Sequence, residues 1–220
     1  MLNLNHNYGE LNFAGRVFYA LASRRLLRED DRFFFEGSRS WPGQMYLQER
    51  RALYETIVSS APRQSLEIGT GTGGGSTFFI AEAYRKLGHG RLVTLEQDLR
   101  LHHLAVRRYQ RQLSYLAPYV KFLQGGEPAL FLPYIREAGG QVDCLFLDGS
   151  DDPDQTLQQY EALLPYMRTG SLLIAHDWNT VKMSLLRPTV ERDGTWCLQL
   201  KLDQPESVGF VVFQRGDVGS

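Results

Sequence analysis

The residues of this 220-residue chain that could do chemistry fall in five short stretches. "SLEIGTGTGGGST" sets Glu67 ahead of a loop rich in glycine, with Gly69, Thr70, Gly71, Gly73 and Gly74 in close succession. "RLVTLEQD" ends on Glu96, Gln97 and Asp98, and "LQGGEPALF" carries Gly125, Gly126 and Glu127. "CLFLDGSDD" brings Asp148 and Asp151, and "SLLIAHDWN" brings His176, Asp177 and Asn179.

Glycine at this density costs backbone entropy, so something must approach the first loop closely. The free N–H groups of the helix that follows favour an anionic group, either carboxylate or phosphate. Gly69, Gly71 and Gly74 fit the G-x-G-x-x-G pattern of dinucleotide binding, a short pattern of low specificity. Glu67 weighs against it, because an acid there repels a pyrophosphate and pairs with the ammonium of an amino-acid ligand. Glu96 has the chemistry to accept both hydroxyls of a ribose, with Asp98 as the alternative. Asp148, His176, Asp177 and Asn179 would meet as one cluster if their runs are adjacent strand ends. Oxygen ligands with one nitrogen suit a hard or borderline divalent ion that keeps positions open for substrate.

The elements that would hold these groups alternate. Strand-like "SLEIG", "GRLVTLE", "VKFLQG", "VDCLFLDG" and "GSLLIAHD" are separated by helical "TFFIAEAYRKLG", "LRLHHLAVRRYQRQLS", "EPALFLPYIREAG" and "DQTLQQYEALLPYM". Such alternation predicts an α/β fold, a doubly wound, mostly parallel sheet with helices on both faces. "TWCLQLKL" and "SVGFVVFQR", joined through "DQPE", read as an antiparallel C-terminal hairpin. Ahead of Ser65, helices over 11–29 and from Tyr46 to Ser60 make a helical cap on the same domain, anchored by Phe33, Phe34 and Phe35.

Glu67-x-Gly69-x-Gly71-x-Gly73 resembles the first motif of the class I S-adenosylmethionine-dependent methyltransferases. The resemblance implies a Rossmann-like three-layer sandwich, with residues 1–64 as the cap and 65–220 as the cofactor-binding unit, and it covers residues 40–215. It implies that Glu67, Gly69, Thr70, Gly71 and Gly73 hold the methionyl part of the cofactor and that Glu96 and Gln97 hold the ribose. Gly125, Gly126 and Glu127 would flank the adenine, with Asp148 also beside the cofactor.

The run from Leu147 to Trp178 resembles a branch of small-molecule O-methyltransferases that includes the macrocin type and cephalosporin-hydroxylase-like proteins. Metal-dependent members use an aspartate at the fourth strand and an acidic pair at the fifth. The resemblance implies Asp148 and Asp177 as ligands of Mg or Mn, with His176 where an acid is expected. His176 then either ligates a softer metal or serves as general base in a metal-free site. Asp148 and His176 are the implied catalytic centre, and Asp151, Asp152 or Lys182 would collect the acceptor's proton. Trp41, Gln44, Met45 and Tyr46 would touch cofactor or substrate.

Composition narrows the partners. With 24 basic and 25 acidic residues and a net charge of −1, no global field steers the chain to nucleic acid or an anionic membrane. The expected partner is a small hydroxylated substrate, with an N-terminal helix free to serve a homodimer interface. Two cysteines, Cys144 and Cys197, both in strand-like runs that suit buried thiols, give no disulfide framework. No apolar run reaches the length of a membrane span, and the N-terminus lacks a signal-peptide layout, so a cytoplasmic location is expected. Two other readings stay open: a nicotinamide-dependent oxidoreductase using the glycine loop, and a non-catalytic binding protein on the same fold.

Overall fold

The computed structural model describes residues 32–34, 45–203 and 207–217. The expected helix over 11–29, and Phe35, Trp41 and Gln44, lie outside them.

In chain order the elements are α1 (Leu47–Ser60), β1 (Gln64–Ile68), α2 (Gly75–Leu87), β2 (Arg91–Glu96), α3 (Leu99–Arg111), β3 (Val120–Gln124) and α4 (Leu132–Glu137). There follow β4 (Val142–Leu147), α5 (Pro153–Leu163), β5 (Met167–His176), α6 (Leu186–Arg192), β6 (Trp196–Leu202) and β7 (Phe210–Arg215). The seven strands form one sheet in the order β3-β2-β1-β4-β5-β7-β6. β1 to β5 pair in parallel, while β7 inserts between β5 and β6 and runs antiparallel to both. The doubly wound sheet with its antiparallel C-terminal hairpin is the architecture expected from the alternation of strand and helix.

Period-two alternation divides each central strand between two cores. Leu66 and Ile68 of β1, Leu145 and Leu147 of β4, and Leu173 and Ala175 of β5 join the cluster that includes Phe131, Tyr160 and Trp178. Cys144 and Phe146 of β4 and Leu172 and Ile174 of β5 face the opposite cluster, with α1 and α2. There Phe33 and Phe34 meet Tyr54 and Phe79 at ring-centroid distances from 5.4 to 5.8 Å, mostly edge to face. Edge-to-face pairs add about 0.5–1.5 kcal/mol each beyond burial, so the two aromatics fasten the cap as expected.

Three local expectations need correction. The helix expected over "EPALFLPYIREAG" is broken into a 3-10 turn, Pro128–Phe131, and the short α4, because each proline lacks an N–H and favours a helix's first turn. α6, between β5 and β6, was not foreseen. Cys144 is buried as expected, but Cys197 is exposed, since β6 is the sheet's edge strand and its residues from Cys197 to Gln199 face solvent. No helix among the described residues is long and apolar enough to cross a membrane.

Candidate active site

Strand order reverses between β1 and β4, and a crevice opens at that point beyond the carboxyl ends of the strands. The cavity there has a volume of about 490 Å³. Its wall includes Gly69 to Thr72, Glu96, Gln97, Gly125, Gly126, Asp148 to Asp151, Asp177 and Lys182. Five separate stretches of sequence thus converge on one space.

Register explains the convergence. Thr94, Glu67, Phe146 and Ile174 stand opposite one another across β2, β1, β4 and β5. Two residues further on, the same face carries Glu96, Gly69, Asp148 and His176. Gly69 has φ +104°, and a side chain there would collide with the carbonyl of Asp148. What approaches this first glycine is therefore the protein's own backbone. Gly73 is likewise a packing position, since a Cβ would come within 3.1 Å of Ala105 and Tyr109 on α3. Gly71 has no neighbour within 4 Å of such a Cβ and borders the open cavity.

Glu67 is fully buried beside the loop and is not on the cavity wall. Its Oε2 accepts a hydrogen bond from the Thr77 hydroxyl at 2.7 Å, while Oε1 has no partner. Burial pushes the carboxyl up to about 7, against the pull of Ser76, Thr94 and Thr77. Glu96 accepts from the Gly71 N–H at 2.7 Å and the Asp98 N–H at 2.8 Å, tying the glycine loop to the turn after β2. Asp98 caps α3, accepting from the N–H groups of Arg100 and Leu101, and is exposed. Gly126 is pinned by Gln159, whose Nε2 donates to its carbonyl at 3.4 Å. Glu127 stands off the wall and begins the 3-10 turn. Met45 is buried on the wall, and Tyr46 caps α1.

At the end of β5 the chain turns sharply, with Asp177 at φ +58°, a left-handed conformation rare outside glycine. The turn swings Lys182 back, so that its ammonium lies 2.6 Å from Asp148 Oδ1 and 2.6 Å from Asp177 Oδ2. It carries Asn179 away, to donate to Asp203 at 2.6 Å, so Asn179 is not in the cluster where it was expected. Asp151 is on the wall and exposed, whereas Asp152 is spent capping α5.

His176 is buried, with Nε2 3.2 Å from Glu49 Oε2. Its Nδ1 lies 3.3 Å from Asp148 Oδ2 and 3.2 Å from Asp177 Oδ1 but is aligned for a hydrogen bond with neither. Burial alone would lower the histidine, yet Asp148 and Glu49 outweigh it and hold the metal-free imidazole at about 10. Burial raises Asp148 and Glu49, and the facing cations outweigh it and keep both low. Lys182 is raised in the same way, against burial, by Asp148 and Asp177. It keeps its proton at neutral pH and is a donor, so the role of proton acceptor does not suit it.

The group Asp148, His176 and Asp177 has its ligand atoms within 4.8 Å of one another. Lys182 takes one oxygen of each carboxylate and leaves the other beside the orphaned Nδ1. Two free carboxylate oxygens and one buried imidazole nitrogen fit a divalent ion of the hard or borderline kind. Sequence reasoning missed Glu49, an acid with no motif around it, and Gln159, one of several polar residues on α5 and not set apart from them by any pattern.

Comparison with known proteins agrees with this fold. The family profile described as "Methyltransferase domain" matches residues 66–178. Among curated proteins no match is found. Among solved structures, the fold is similar to the SAM complex of the O-methyltransferase TomG from Streptomyces achromogenes, involved in tomaymycin synthesis. That match has a TM-score of 0.64 and 19% identity over 94% of this chain and 100% of that one. It is also similar to an O-methyltransferase from Bacillus cereus in complex with SAH, with a TM-score of 0.61 and 19% identity over 90% and 97%. Cofactor-bound Rv0187 from MTB matches with a TM-score of 0.64 and 20% identity over 94% and 99%.

Proposed function

This chain belongs to the methyltransferase-domain family, and from that premise we propose that it moves a methyl group from S-adenosylmethionine to a hydroxyl of a small molecule. The observation that carries the reading is the orphaned carboxylate oxygen of Glu67, buried beside a glycine loop that lines a cavity of about 490 Å³. An unpartnered buried carboxylate oxygen is costly and suits an ammonium group. O-methyltransferases among the structural neighbours, with SAM or SAH bound, support the cofactor and the oxygen acceptor.

When bound, the cofactor supplies an electrophilic methyl on a sulfonium. Glu67 would take its ammonium, and Glu96, through lone pairs that Gly71 and Asp98 leave over, would take ribose hydroxyls. Gly126 and Gln97 would border the base, and the open space at Gly71 lets the backbone approach the ligand. A divalent ion, held by Asp148, Asp177 and His176, would lower the pKa of an acceptor hydroxyl. Asp151, on the wall and without an ion-pair partner among the described residues, is the carboxylate we assign to receive the acceptor's proton. The donor fork of Lys182 holds both aspartates in orientation. We further take the reaction to be cytoplasmic and the partner small, with neither nucleic acid nor membrane involved and with the segment before residue 64 as roof or homodimer contact.

Calorimetric titration of S-adenosylhomocysteine into the full chain, with NADH as control, tests the proposal. Micromolar binding of the first and none of the second is expected. Binding of NADH alone would favour the dinucleotide reading, and cofactor binding with no transfer across hydroxylated compounds would favour a non-catalytic protein.

A further inference from the structure

Glu49 is an acid at the third position of α1, 1% exposed and 127 positions from the histidine it faces. Its Oε2 accepts from the Tyr46 N–H at 2.8 Å and lies 3.2 Å from His176 Nε2. Its Oε1 accepts from the Ser207 hydroxyl at 2.8 Å. The carboxylate is thus fixed by the start of α1 on one side and by the segment leading into β7 on the other. Burying an acid this fully is costly unless its partners are well placed.

An ionised carboxylate only accepts hydrogen bonds, so the nitrogen facing Glu49 must be the one that carries hydrogen. The lone pair of a neutral His176 is then on Nδ1, the atom next to Asp148 Oδ2 and Asp177 Oδ1 and with no aligned partner of its own. Glu49, Asp148 and Asp177 set three carboxylates around the imidazole, and Lys182 is paired with two of them, Asp148 and Asp177.

We propose that Glu49 is a positioning residue that fixes His176 as an Nδ1 ligand of a divalent cation shared with Asp148 and Asp177, while Lys182 holds the outer oxygens of the two aspartates. The inference rests on the metal-assisted form of the function proposed above. A histidine ligand commonly donates its other N–H to a carboxylate, and loss of that partner typically costs 10–100-fold in metal affinity. Here the partner comes from an N-terminal helix outside the strands that supply the ligands.

The test is Mn2+ binding by the full chain, read from the loss of the free-ion EPR signal, with S-adenosylhomocysteine affinity measured in parallel. Wild type is expected to bind one Mn2+, Glu49→Gln to bind it roughly 10–100-fold more weakly with unchanged S-adenosylhomocysteine affinity, and Glu49→Asp to fall between. A Glu49→Gln affinity within twofold of wild type overturns the positioning role. Absence of Mn2+ binding in wild type that still takes S-adenosylhomocysteine overturns this inference alone. Loss of S-adenosylhomocysteine binding with Mn2+ binding intact would instead count against the methyltransferase reading. Should Glu49→Gln fail to fold, long-range 1H–15N spectra of wild type with Zn2+ read the histidine directly. Hydrogen on Nε2 with Nδ1 ligated is expected, and hydrogen on Nδ1 overturns the inference.

Discussion

Lys182 Nζ stands 2.6 Å from one oxygen of Asp148 and 2.6 Å from one oxygen of Asp177, bridging two acids that come from the ends of adjacent strands. The lysine is 6% exposed at its side chain, and each aspartate about a fifth. Removing one partner of a buried ion pair leaves an uncompensated charge, at a cost of about 3–5 kcal/mol. Lys182→Met is therefore expected to lose about 3 kcal/mol in chelator, discounted to the lower end because the aspartates reach water. Urea unfolding of the two proteins in EDTA reads this, and a difference under about 1 kcal/mol would mean that the bridge does not form in solution.

The glycines of the first loop separate into two kinds. Gly69 has both a positive φ and the Asp148 carbonyl where a Cβ would go, whereas Gly71 has φ +55° and open space. Gly69→Ala must move β1 and β4 apart or fail to fold. Gly71→Ala meets only the left-handed backbone cost of about 1–2 kcal/mol and keeps the fold. Its methyl group then occupies space at the cavity, so S-adenosylhomocysteine affinity should fall at least tenfold. Circular dichroism and titration on both variants distinguish the two roles; a well-folded, fully stable Gly69→Ala would refute the first.

Much of this was legible in the sequence because two periods carry it. The alternation of β1, β4 and β5 was visible in "SLEIG", "VDCLFLD" and "SLLIAHD", and the strand-end acids followed from the same count. What strand-end position could not give is direction beyond the strand. Asn179 and Lys182 are three residues apart, yet the left-handed turn at Asp177 sends one to Asp203 and the other into the site. Glu49 was hidden for a different reason, since its partner lies on a strand 127 residues away and nothing local marks it. Cys197 was misjudged because an apolar run does not say whether its strand is central or at the edge.

The free protein should lose stability as pH rises from about 4.5 to about 7, and Glu67 is the cause. Burial lifts its folded pKa to about 7 from an ordinary value of 4.5, so the folded state holds a proton that the unfolded chain has released. Stability falls wherever the folded state binds more protons, here across that interval. At about 1.4 kcal/mol per pKa unit, the whole effect is on the order of 3 kcal/mol. Glu49 and Asp148 have lowered values and lose their contribution only at more acidic pH, below the window. Glu67→Gln should flatten the profile of unfolding free energy between pH 4.5 and 6.5, above which His176, held at about 10 against an ordinary 6.5, adds its own fall, and an unchanged slope below 6.5 would exclude Glu67 as its source.

The same carboxyl links pH to cofactor binding, with the opposite sign. A cationic ammonium beside Glu67 favours the ionised form, so binding must expel whatever proton the free protein carries there. Below pH 7 that expulsion opposes binding; above it the carboxylate is already charged. S-adenosylhomocysteine affinity is therefore expected to rise as pH goes from 6 to 8, levelling off near the top. Glu67→Gln removes the charge-assisted hydrogen bond, a loss of about 1.5–3 kcal/mol or roughly 10–150-fold in affinity, and removes the pH dependence with it. Titrations at pH 6, 7 and 8 on both proteins decide the matter. Equal affinity at all three in wild type would mean that the ligand's ammonium lies elsewhere, and that Oε1 of Glu67 is orphaned for a reason other than this ligand.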